Sequence, residues 1–265
     1  MKGWENKMKL RTWASVPAIV LAVTALLLLP LQAQAERDWE FSVSAFGGKA
    51  LHSNESVKAS QGPVIENGIV TGTYTNATAN DVNLNDAPTF GGKLTAWHLP
   101  RQYKWQPQIG IELDWTRFTA DLDPQTVSAT GTVSIPGMEL GRITFSNHQD
   151  FSVNVLAVNL LFRYPIGATP EMPHGRWYPY VGGGLGVQRA ALTLAGFEET
   201  SYSPAVQGLV GVKFFLINNL GVFAEVKRTT GWNTFHFEGA GAPPGYFEKY
   251  TISSNHFVAG VALHF

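Results

Sequence analysis

The sequence predicts an all-β fold: an eight-stranded antiparallel up-and-down transmembrane β-barrel with long extracellular loops. Three observations predict it. The last nine residues alternate with a period of two: Phe257, Ala259, Val261, Leu263 and Phe265 share one face of an extended strand, and Val258, Gly260, Ala262 and His264 share the other. A bare apolar strand edge recruits other chains unless it pairs with another strand of its own sheet. Charged residues make up only 15% of the 265-residue chain, against roughly 25% in soluble domains, while Gly reaches 27 residues and aromatics 12%. Finally, alternating segments recur along the chain, with connections that run long, short, long, short.

The first strand runs from Asp38 to about Lys49, with Trp39, Phe41, Val43 and Ala45 outward and Glu40, Ser42 and Ser44 inward. A polar stretch from Ala50 to Pro88 reads as an exposed loop. Thr89 to His98 is the second strand, placing Phe90, Leu94 and Ala96 opposite Thr89, Lys93 and Thr95. After a short Leu99–Gln106 connection, Pro107 to Phe118 sets Ile109, Ile111, Leu113 and Trp115 against Gln108, Glu112, Asp114 and Thr116. A second long polar loop is expected from Thr119 to about His148.

In the fourth strand, Gln149 to Tyr164, the alternation changes phase. Phe151, Val153 and Val155 have one parity, and Leu156, Val158, Leu160 and Phe162 the other. A bulge near Val155 or a partly apolar inner face both account for this. Four strands remain: Trp177 to Ala190, Ser203 to Phe215, Leu220 to about Thr230, and the last, ending at Phe265. Their connections are Pro165–Arg176, Leu192–Tyr202, the tight Ile217-Asn218-Asn219 turn and a Gly/Pro-rich stretch from about Gly231 to Lys249. Gly182, Gly184 and Gly186 share the inward face of the fifth strand, where missing side chains let groups from across a narrow lumen fit. No Gly-Lys-Ser/Thr follows them, so they do not form a phosphate loop.

Residues 1–35 read as a signal peptide, leaving 36–265 as the barrel domain. Lys2, Lys7, Lys9 and Arg11 precede an apolar core from Val16 to Leu31, and Ala33-Gln34-Ala35 is a small-x-small cleavage site. The 16-residue core is shorter than the roughly 20 residues a spanning helix needs. With 19 basic and 20 acidic residues, no field for nucleic acid is present, and the absence of Cys excludes disulfides and thiolate metal sites.

Eight strands leave an interior that side chains fill, which disfavours an open pore. The inward charges are balanced: Glu40, Glu112, Asp114 and Glu225 against Lys93, Arg163, Lys213 and Lys227. Such balance is expected of a paired network, because an unpaired buried charge costs several kcal/mol. The candidates for a site at the outer mouth are Glu112, Asp114, Glu225, His148 and His256, which have the chemistry of divalent-metal ligands but no motif spacing. His52 and His98 read as loop and interface residues, and Trp39, Trp115, Trp177 and Tyr164 as interfacial girdles.

Pro179-Tyr180-Val181-Gly182-Gly183-Gly184-Leu185-Gly186 and Val222-Phe223-Ala224-Glu225-Val226-Lys227 resemble strands of the bacterial outer-membrane β-barrel superfamily that includes the OmpA-like and opacity proteins. The resemblance implies a monomer in the outer membrane, surrounded by outer-membrane lipid and lipopolysaccharide. It also implies assembly by the barrel-assembly machinery through the strand ending at Phe265, and a structural or surface-interaction role. A narrower resemblance, carried by Ile109–Phe118, Asn154–Tyr164 and the Tyr180 glycine run, is to lipid A oxidase-like barrels. It implies, as the alternative, a lipid A-modifying enzyme of the outer leaflet that uses molecular oxygen and a divalent metal, with no residue assigned a role. Ser146-Asn147-His148 and Ser254-Asn255-His256 hold the residue types of the lipid A deacylase barrels, in a different order and with different neighbours.

Overall fold

A computed structural model describes residues 38–265 apart from 53–54, 67–68, 102, 104, 136–138, 170, 171, 173, 195–196 and 237–245. The segment 1–35, expected to be a signal peptide, lies outside the described residues. The strands are β1 (Trp39–His52), β2 (Glu55–Glu66), β3 (Ile69–Val82), β4 (Ala87–His98), β5 (Gln108–Thr119) and β6 (Gln125–Val133). They continue as β7 (Arg142–Phe145), β8 (Asp150–Arg163), β9 (Trp177–Leu194), β10 (Phe197–Ile217), β11 (Leu220–His236) and β12 (Phe247–His264). Among the described residues no helix is long and apolar enough to cross a membrane.

Eight of these strands pair antiparallel in the order β1-β4-β5-β8-β9-β10-β11-β12, and β12 pairs back onto β1. The eight expected strands therefore make a closed ring. At the seam, Phe41 and Phe265 exchange backbone hydrogen bonds of 3.0 Å. Following partners round the ring from Ser42, through Thr95, Glu112, Asn159, Gly184, Gln207, Thr229 and Ser254, returns to β1 at His52. That stagger of ten residues is what tilts the strands and fixes the barrel's width.

Outward positions form an apolar belt. Phe41, Leu94, Ile111, Leu160, Val181, Val210 and Val261 all lie open on the outer surface, an arrangement stable in lipid and not in water. Trp39, Trp177 and Tyr164 sit outward near the end that holds the short turns, and Trp115 near the opposite end, as interfacial girdles do.

Two expectations are resolved by the pairing. β8 pairs with β5 and β9 without a register shift, so there is no bulge at Val155. The inner face is apolar instead. Phe151, Val153 and Val155 point inward and pack with Phe118, Leu192, Phe235, Tyr250 and Ile252 into a buried cluster across the upper lumen. The glycine run does face inward, but the side chains over Gly182 and Gly184 are Leu161 and Asn159 of neighbouring β8, not groups from across the lumen.

The long loops need correction. The stretch 50–88 holds the β2–β3 hairpin, and 119–148 holds β6 and β7. β9, β10, β11 and β12 likewise extend into the expected loops 192–202 and 231–249. Val57, Ala77, Ala79 and Val82 are buried, so apolar anchors were present, but register shifts and positive φ at Asn76 and Asp81 break their period. Above the belt, Val57, Lys58 and Ala59 of β2 pair with Tyr250, Lys249 and Glu248 of β12. The sheet thus leaves the ring and continues through β2, β3, β6 and β7.

Candidate functional site

Alternation along β5 sends Gln108, Glu112, Asp114 and Thr116 into the lumen, while β4 contributes Lys93 and β11 contributes Glu225 and Lys227. These side chains, Gln108 apart, meet in mid-barrel. The Lys93 ammonium donates to Glu225 Oε1 and Oε2 at 2.8 and 2.6 Å and to Glu112 Oε1 at 3.2 Å, and lies 3.5 Å from Asp114 Oδ2. Lys227 Nζ donates to Asp114 Oδ1 and Oδ2 at 3.1 and 2.9 Å and contacts Thr116 Oγ1 at 2.6 Å. The remaining lone pairs accept from Asn159 Nδ2 at Glu112, from Gln207 Nε2 at Asp114 and from the Tyr180 hydroxyl at Glu225.

Below this layer Arg163 grips Glu40 through two parallel hydrogen bonds of 2.9 and 3.0 Å, and donates Nε to Gln108 at 2.8 Å. His264 Nδ1 lies 2.5 Å from Glu40, and Lys213 Nζ lies 3.2 Å from His264 Nε2, under the rings of Tyr178 and Phe223. The short-turn mouth is covered by His174, stacked on Phe215 at 3.7 Å, and by Met172 against the Trp97, Leu161 and Tyr178 cluster. A cavity of about 10 Å³ beside Lys93, Glu112 and Tyr180 has the volume of one water.

The five predicted site residues thus fall in three places. Glu112, Asp114 and Glu225 converge, but in mid-lumen and not at the outer mouth, and with Lys93 and Lys227 among them. Their position follows from β5 and β11, where they are inward residues at mid-strand. His256 is fully buried above Lys227, its Nε2 3.1 Å from Ser254 Oγ and its ring against Phe118 at 4.8 Å. This Ser/His pair lies sealed beneath the apolar cluster, away from the lipid-facing surface. His52 is also at this level, tilted against Phe118 at 5.7 Å, whereas His98 meets Trp39 on the outer surface at 5.1 Å.

His148 lies elsewhere, exposed above the barrel. A backbone bridge joins Leu122 to Gln149 through two 2.9 Å hydrogen bonds, so Asp121 and Asp123 face Asp150 and His148 across it. His148 Nδ1 is 2.8 Å from Asp123 Oδ1 and Nε2 is 2.8 Å from Asp150 Oδ1. Ligand-type atoms of Asp121, His148 and Asp150 all lie within 4.8 Å of one another, a donor set suited to a divalent cation. Hydrogen bonds to Asp123 and Asp150 hold the imidazole's pKa above its ordinary value. Bonds from Asn85 and His148 hold Asp123 below its own, and burial, with Asp150 nearby, raises Asp121. The aspartates were missed in the sequence, although Asp121-Leu122-Asp123 and His148-Gln149-Asp150 alternate as paired strands do.

Several solved structures are similar to the chain, among them the three that follow. The outer membrane protein OprG from Pseudomonas aeruginosa is 13% identical, with 88% of this chain and 99% of that one covered and a TM-score of 0.48. Neisserial surface protein A is 15% identical over 84% and 96% of the two chains, with a TM-score of 0.40. The N-terminal β-barrel domain of Pseudomonas aeruginosa OprF is 10% identical over 85% and 97%, with a TM-score of 0.39. No protein-family model and no curated protein matches the chain.

Proposed function

We propose that this chain is an integral outer-membrane β-barrel with a structural or surface-interaction role, and that it is not an open pore. The observation that carries the reading is the division of labour along the barrel axis. The lumen is filled by paired charges and covered by the Phe151–Phe235–Tyr250 cluster, so solute has no wide path through. The sheet above it is extended into a folded platform of β2, β3, β6 and β7. Lateral hydrogen bonds stiffen that platform, which suits presentation of a fixed surface.

Export through residues 1–35, and recognition of the strand ending at Phe265 by the barrel-assembly machinery, belong to the same reading. So does a monomer surrounded by outer-membrane lipid and lipopolysaccharide. The carboxylates Glu112, Asp114 and Glu225 are committed to lysines, which favours this reading over lipid A modification.

The test replaces residues 55–82 with a short turn in cells that otherwise express the chain normally. The replaced chain is expected to keep a heat-modifiable barrel while losing whatever cell-surface binding the intact chain confers. Lipid A mass spectra of deletion and parent cells are expected to be identical. A changed lipid A profile, or binding that survives loss of the platform, would overturn the proposal.

A further inference from the structure

Five outward residues form one cross-strand row at the upper rim of the apolar belt: Phe90, Arg117, Asn154, Arg189 and Tyr202. Their inward neighbours Thr116, Val155 and Gln188 are buried to 1% exposure or less, which fixes the row on the outer surface. The outward Lys49, also near this rim, is taken up by Asp86 at 2.9 Å. Arg117 and Arg189 have no carboxylate within ion-pair distance among the described residues, and Arg189 reaches only Thr200 Oγ1 at 3.5 Å.

β5 and β9 are separated by the single strand β8, so the two arginine backbones stand about 10 Å apart. Both guanidiniums can reach a point above Asn154, whose amide supplies a further donor. Immediately toward the membrane lie Trp115, Leu156 and Val187, all open to lipid. The patch is cationic above and apolar below, and is continuous with the belt. Guanidinium pairs hold phosphate by parallel charged hydrogen bonds, and the platform beneath fits acyl chains.

We infer that Arg117, Asn154 and Arg189 form a binding site on the barrel's outer wall for the phosphate of a lipid A-type glycolipid. This rests on the outer-membrane reading above, with the β2–β3 platform on the outer side. It is a docking surface for a lipid of the surrounding leaflet, not a catalytic centre. The two arginines select for phosphate, and the apolar platform selects for a lipid over the free anion.

The test uses the full mature chain refolded into phosphatidylcholine nanodiscs, with a heat-modifiable band confirming insertion before any probe is added. Diphosphoryl or dephosphorylated lipid A is then supplied, and the lipid retained per barrel is counted by native mass spectrometry. Wild type is expected to retain the diphosphoryl form preferentially, and Arg117→Gln/Arg189→Gln to lose about tenfold of that retention while folding normally. Arg176→Gln, on the opposite rim, is the control expected to match wild type. Equal retention by wild type and the double variant overturns the site. So does an equal loss in the control, or displacement by inorganic phosphate at matched concentration. Failure to insert into the discs would instead count against the membrane reading itself.

Discussion

Glu40 and Arg163 stand on strands three places apart in the ring and meet across the lumen through two parallel hydrogen bonds of 2.9 and 3.0 Å. Arg163 also lies over the faces of Trp97 and Tyr178, at 4.4 and 4.6 Å. Removing one partner leaves a buried charge without its counterion. Arg163→Met is expected to destabilise the refolded barrel by about 3–5 kcal/mol, and Glu40→Leu/Arg163→Met by much less. Urea unfolding from lipid vesicles gives both values. With Glu40→Leu measured alongside, a double-variant loss equal to the sum of the two single losses would show that the pair does not act as a unit.

Lys93 neutralises more than one carboxylate, with Glu112, Asp114 and Glu225 all within 3.5 Å of its ammonium. Lys93→Met is therefore expected to be more damaging than Lys213→Met, whose ammonium has no carboxylate within ion-pair distance among the described residues. Comparing the urea midpoints of the two variants decides it. A larger loss at Lys213 would contradict this account.

Two glycines on the adjacent strands β9 and β10 are expected to behave oppositely. A Cβ on Gly184 would lie 2.0 Å from the Val158 carbonyl oxygen and 2.4 Å from Asn159 Oδ1, whereas one on Gly208 meets nothing within 4 Å. Gly184→Ala is expected to lower the yield of heat-modifiable barrel sharply, and Gly208→Ala to leave it unchanged or slightly improved.

The His148 bridge carries a pH dependence whose sign is fixed by its partners. The imidazole's pKa is raised by Asp123 and Asp150, so its contribution is complete below the ordinary histidine value and is lost as pH rises through the raised one. The Asp123 pKa is lowered by Asn85 and His148, so its contribution is complete above the ordinary carboxylate value and is lost as pH falls through the lowered one. The loop is expected to be most ordered between about pH 4 and 6.5. Amide exchange at Leu122 and Gln149, corrected for its intrinsic pH dependence, should be slowest there. An identical profile in His148→Asn would remove the imidazole from the explanation.

The covered lumen predicts that the purified chain gives no stable conductance steps in planar bilayers. Phe151→Ala/Phe235→Ala, which opens the upper cluster, is expected to leave conductance absent, because the paired charges below still fill the barrel. Steps from the wild-type chain would contradict the filled interior.

Much of the ring was legible because lipid on one side and packed polar groups on the other impose a strict period of two. Ile109 to Trp115 and Val222 to Val226 show that period in the sequence and in the structure. The lumen charges were legible for the same reason, as residues of the opposite parity. Which charges touch was not legible, since Lys93 and Glu225 lie 132 positions apart and only the stagger of the ring brings them together. The platform was hidden because its anchors, Val57, Ala77 and Val82, are spaced by register shifts among Thr, Asn and Ser. At Phe151 to Val155 the inner face is oily, so the polarity rule fails where the barrel is plugged and not channelled.

The seam between β1 and β12 joins groups as remote as Glu40 and His264, 224 positions apart. Each ring strand is held on both flanks, so no outermost strand exists from which unravelling could start. Loss of the native form must begin by parting two flanked strands in lipid, where the exposed amides find no water. Endurance of such a molecule is thus set by the height of that kinetic barrier more than by its equilibrium stability.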